Sequence, residues 1–111
     1  MVASRERRQF SRFPIEVIDV VLSIPDLSED PFIPDNISPG GFKIVTQNDI
    51  EIGSKYEISI WVYGNSIGNY SAEIVRTEPN LVNHELWDAS AKFDISENER
   101  ARIIEALEDI I

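Results

Sequence analysis

Nine consecutive residues, Lys55-Tyr56-Glu57-Ile58-Ser59-Ile60-Trp61-Val62-Tyr63, alternate between two faces, with Tyr56, Ile58, Ile60 and Val62 on one side and Trp61 and Tyr63 on the other. A repeat of two excludes a helical stripe and demands a strand with one face on a core. Gly64 to Asn69 follows as a Gly/Asn-rich hairpin connection, and Tyr70 to Thr77 reads as the returning strand. These two strands are therefore antiparallel. Ile15 to Ile24, Phe42 to Thr46 and Leu86 to Phe93 supply further β-branched or alternating runs. Glu78 to Asn83 reads as a turn, and Asn48 to Gly53 as a loop whose Ile50 and Ile52 point inward. Short strands at regular spacing predict an all-β fold, an antiparallel sheet curled into a small barrel. The period then changes. Ser96-Glu97-Asn98-Glu99 is a capping box, and Ile103, Ile104, Leu107 and Ile111 recur at helical steps, so a C-terminal α-helix closes the chain.

A chain of 111 residues builds one core, and we expect a single domain: an Arg-rich flexible arm over 1–13, the barrel over 14–94 and the helix over 95–111. The sequence has no cysteine, which excludes disulfides and thiolate metal sites and suits a reducing cytoplasm. No apolar run is long enough to span a bilayer, and the N-terminus lacks the apolar segment of a secretory signal. Net charge is −10, unevenly spread. Residues 1–12 carry four arginines against one glutamate, whereas residues 13–111 carry six basic and nineteen acidic groups. Such a body repels a nucleic-acid backbone but leaves room for a small anion held by the basic arm.

The stretch richest in candidate chemistry is Asp35-Asn36-Ile37-Ser38-Pro39-Gly40-Gly41-Phe42-Lys43-Ile44. Ser38-Pro39-Gly40-Gly41 has the signature of a turn with Pro first and a positive-φ Gly second. Asn36 and Ser38, two apart in an extended segment, project from the same face. An amide and a hydroxyl thus stand beside glycines that let a ligand approach the backbone. An ordinary polar loop closed by a tight turn satisfies the same residues. Other polar residues are weaker candidates. His84 stands alone in a polar turn, Asp26, Glu29, Asp30 and Asp35 lack the spacing of a calcium loop, and Trp61 and Trp87 suit barrel packing or an interaction surface. No nucleophile–base set, metal set or phosphate-cradling loop is legible, and an enzyme is not expected.

Upstream, Arg8 and Arg12 form an RxxxR pair, and with Asn36, Ser38 and Gly41 they make RxxxR followed by NxSxxG, with 23 residues between Arg12 and Asn36. This combination resembles the PilZ domain, a bacterial module that binds the second messenger cyclic di-GMP. Ala72-Glu73-Ile74-Val75-Arg76 and the stretch Phe93 to Glu99 are similar to later parts of the family pattern. Two departures stand out. Pro31-Phe32-Ile33-Pro34 occupies the place of a short family strand, and Asp88 and Ser90 stand in a strand where the family usually has glycines.

The resemblance implies a six-stranded PilZ-like barrel and a cyclic di-GMP site made by Arg8, Arg12, Asn36, Ser38 and Gly41, with Arg7, Gly40, Lys43 and Arg76 as secondary candidates. Arginine suits both phosphate and guanine, through paired donors and a stacking plane. Ser38 donates to an acceptor, and Asn36 both donates and accepts at a guanine edge. It further implies a stand-alone receptor that orders its arm on binding and signals through an effector protein, without cofactor, metal, nucleic acid or membrane insertion. The rival expectation is a PilZ-fold adaptor that works by protein contact alone and binds no nucleotide.

Overall fold

The computed structural model describes residues 19–108, and in it the alternation of the sequence becomes a division between buried and exposed side chains. In chain order the elements are β1 (Val20–Ser23), β2 (Asn36–Ser38), β3 (Gly41–Thr46), β4 (Lys55–Val62), β5 (Asn65–Pro79), β6 (Trp87–Phe93) and α1 (Glu97–Glu108). On β4, Ile58, Ile60 and Val62 are buried while Trp61 is exposed, as the period of two requires.

The strands form one antiparallel sheet in the order β1-β4-β5-β6-β3-β2. It curls into a half-barrel whose inner face buries Leu22, Ile44, Ile60, Ile74, Ala89, Ala91 and Phe93. Phe93 organises this interior, with the Phe42 ring tilted 5.5 Å away and the Tyr70 ring meeting it edge-on at 6.4 Å. The Tyr70 hydroxyl donates to the Ile67 carbonyl at 2.7 Å. Burial raises the phenol above its usual pKa, with Arg102 pulling it down and Glu99 adding to the rise.

The two end strands, β1 and β2, do not pair with each other. Between them the Pro25–Pro34 segment makes one isolated bridge, in which Leu22 and Phe32 exchange backbone hydrogen bonds of 2.8 Å. Prolines on both sides of Phe32 stop it from growing into a strand.

Several expectations need correction. The run Ile15 to Ile24 is a strand over Val20–Ser23, and residues 15–18 lie outside the described ones. The hairpin connection is shorter than Gly64 to Asn69. Tyr63 (φ 53°) and Gly64 (φ 80°) make a two-residue turn, and β5 begins at Asn65 and runs on to Pro79. Between the pairs Ile60–Gly68 and Trp61–Ser66 the register shifts, leaving Ile67 as a bulge residue. The bulge absorbs the glycines and asparagines that otherwise signal a loop. Ile50 packs inward as expected, but Ile52 is exposed.

The capping box at the start of α1 is complete. Glu99 N–H donates to Ser96 Oγ at 3.1 Å, and Ser96 N–H donates to Glu99 Oε1 at 3.0 Å. Ile103 and Leu107 bury the helix against the sheet, while Ile104 is 40% exposed and outside that stripe. Residues 109–111, including Ile111, lie outside the described ones.

Candidate functional site

Asn36-Ile37-Ser38 forms β2, and the antiparallel ladder continues through Asp35, whose N–H donates to Lys43 O at 2.8 Å. Ile37 faces the core opposite Phe42, which leaves Asn36 and Ser38 exposed on the outer face. A two-residue turn, Pro39-Gly40, joins Ser38 to Gly41. Gly40 is not among the positive-φ glycines of the described residues, so the turn is not the expected type with a left-handed Gly at its second position. It is stabilised instead by contacts from inside and outside. Gly40 N–H donates to Ser38 Oγ at 3.2 Å, Phe93 N–H donates to Gly40 O at 3.0 Å, and Arg100 Nη1 donates to Pro39 O at 2.6 Å.

Gly41 has a sharper requirement. A Cβ placed there would lie 2.0 Å from the Ala91 carbonyl oxygen, so the missing side chain lets β6 approach β3. At Gly40 a Cβ would meet only Ser38 Oγ, at 3.7 Å.

Cross-strand register extends this corner into a surface. Asn36 pairs with Lys43, Lys43 with Ser90, and Ser90 with Arg76. The next row runs Ser38, Gly41, Lys92, Glu73 and Lys55. Phe42, Ile44, Ala89 and Ala91 are buried, so the intervening Lys43, Ser90 and Lys92 share the outer face with Asn36 and Ser38. Neighbouring strands lie about 4.8 Å apart, so the row from Asn36 to Arg76 spans about 14 Å. Among the described residues Lys43 and Lys92 have no ion-pair partner, and Arg76 meets Glu78 at 3.2 Å with both side chains well exposed. A pair so exposed contributes little and yields easily to a ligand anion. The result is a platform of amide, hydroxyls and cations, interrupted by Glu73 and flanked by Asp88, on an otherwise acidic protein. It can accept phosphate and present hydrogen bonds to a base edge.

Of the expected site residues, Asn36, Ser38, Gly40, Gly41, Lys43 and Arg76 come together at this face. Arg7, Arg8 and Arg12 lie outside the described residues. Lys92 and Arg100 were not singled out from the sequence, and Ser90 entered only as a departure from the family pattern. Only register sets Ser90 and Lys92 beside Lys43 and Gly41, and Arg100 had no local signal at all. Asp88 shares the face, in a row between Val45 and Glu78, and its Oδ1 accepts from Asn80 Nδ2 at 2.8 Å. His84, Asp26, Glu29, Asp30 and Asp35 are exposed, and no group of three His, Cys, Asp or Glu able to hold a metal occurs among the described residues. No helix of the described residues is long and apolar enough to cross a membrane.

A family profile described as "PilZ domain" matches residues 6–109. Among solved structures, the chain is similar to the PilZ domain with c-di-GMP of YcgR from Escherichia coli, at 19% identity and a TM-score of 0.49, covering 95% of this chain and 94% of that one. No curated protein matches the sequence significantly.

Proposed function

The chain belongs to the PilZ domain family, and from that premise we propose that it is a receptor for cyclic di-GMP, bound on the outer face around Asn36–Gly41. One observation carries the reading: both polar side chains of Asn36-x-Ser38 leave the sheet on the face that also bears Lys43, Ser90, Lys92 and Arg76. In this proposal Arg8 and Arg12 grip phosphate and guanine by paired hydrogen bonds, and Ser38 donates to a phosphate or guanine acceptor. Asn36 reads a guanine edge, and Lys43 and Arg76 add charge along the row. Ligand contact fixes the arm against the face, and a partner protein reads the combined surface. A ligand generated inside bacterial cells places such a receptor in the cytoplasm.

Hydrogen bonds to charged groups contribute about 1.5–3 kcal/mol each, and ordering backbone costs about 1–2 kcal/mol per residue. If only the few residues around Arg8 to Arg12 are ordered, we expect a complex near −8 kcal/mol, or about 1 μM. Calorimetric titration of wild type, Arg8→Ala and Arg12→Ala tests this. Either substitution is expected to remove most of the binding, and affinity equal to wild type in both rules the reading out.

Asp88, standing where the family usually has a glycine, favours a second reading, an adaptor that contacts protein and binds no nucleotide. A thermal shift with cyclic di-GMP, absent with GTP and a linear dinucleotide, separates the two, since a ligand of the native state raises its midpoint.

A further inference from the structure

We propose that Arg100 is a positioning residue for the ligand site, acting through the Pro39–Gly40 peptide to orient the Ser38 hydroxyl as a donor; this rests on the receptor reading above. Arg100 is the fourth residue of α1, 61 residues from Pro39, and its Nη1 reaches the Pro39 carbonyl at 2.6 Å. That carbonyl belongs to the same peptide unit as the Gly40 N–H, which donates to Ser38 Oγ at 3.2 Å. A cation at the oxygen end of a peptide polarises it and strengthens the N–H at the other end. The sequence of contacts therefore runs from guanidinium to carbonyl, through the peptide, and from N–H to hydroxyl. A hydroxyl whose lone pair is engaged by Gly40 directs its own hydrogen elsewhere. On the exposed outer face, that hydrogen points to a ligand acceptor such as a phosphate oxygen. Phe93 N–H holds the next carbonyl, Gly40 O, at 3.0 Å, so the peptide cannot easily rotate out of this arrangement.

The plain alternative is that Arg100 only tethers α1 to the sheet. A double-mutant cycle on cyclic di-GMP binding separates the two. Arg100→Ala is expected to weaken binding about tenfold, in line with loss of one charge-assisted contact. In the Ser38→Ala background the same substitution is expected to change affinity less than about twofold, since the group it acts through is gone. Arg100→Lys, which keeps a cation and helps retain the fold, is expected to restore most of the affinity. The Gly40 amide proton, followed by NMR without ligand, is expected to move upfield in Arg100→Ala. Additive effects, or a Gly40 resonance unmoved while α1 stays folded, overturn the proposal. Tight binding by Arg100→Ala overturns it while leaving the receptor reading standing. A wild-type protein that binds no cyclic di-GMP overturns both.

Discussion

At Gly41 and Gly40, two adjacent glycines of one turn, identical chemistry meets different surroundings. A methyl group at 41 collides with the Ala91 carbonyl, which belongs to the β6 backbone and cannot swing aside. A methyl at 40 meets only the end of the Ser38 side chain. Gly41→Ala is therefore expected to destabilise the protein by about 1–3 kcal/mol, the range for forced overpacking. Gly40→Ala is expected to stay within about 0.5 kcal/mol of wild type, as surface substitutions do. Urea denaturation compares the two midpoints; equal stabilities would show that β3 and β6 do not approach as described. The NxSxxG spacing was legible at the start. The reason for its glycine was not, because the atom that demands it lies on a strand fifty residues downstream.

Among the elements, α1 and the β4–β5 hairpin show opposite degrees of legibility. The capping box of α1 is a local interaction between Ser96 and Glu99, and it forms as read. Ser96→Ala is expected to cost about 1 kcal/mol, the usual penalty for losing such a cap. For a domain of this size that corresponds to a fall of about 4–8 °C in Tm. A Tm unchanged by circular dichroism would mean that the cap does not hold the helix. Only the length of the hairpin connection differs from expectation, because Asn65, Gly68 and Asn69 look like loop residues in isolation. In the sheet, Asn65, Ser66, Gly68 and Asn69 pair with β4, and the bulge at Ile67 takes up the odd residue. Tertiary pairing outweighs weak local propensity there.

For the whole molecule, charge sets two responses to salt that run in opposite directions. The excess of acidic groups over residues 13–111 repels itself, and screening relieves that repulsion. Raising NaCl from about 0.02 to about 0.3 M is expected to increase the Tm of the free protein. The same change is expected to weaken cyclic di-GMP binding, because arginine–phosphate attraction is screened as well. Thermal scans and titrations in the two buffers measure both, and an affinity that rises with salt would contradict a site built on cations.

Neighbouring residues decide together the alternation on β4, the cap of α1, the place of the turn at Pro39-Gly40, and the shared side of Asn36 and Ser38. These follow from backbone geometry over a few residues. Contacts between segments far apart in the chain set the rest: Lys43, Ser90 and Arg76 complete a row with Asn36, Ala91 excludes a side chain at Gly41, and Arg100 grips Pro39. Strand order and register depend on which distant segments close over a common core, and no local spacing carries that information.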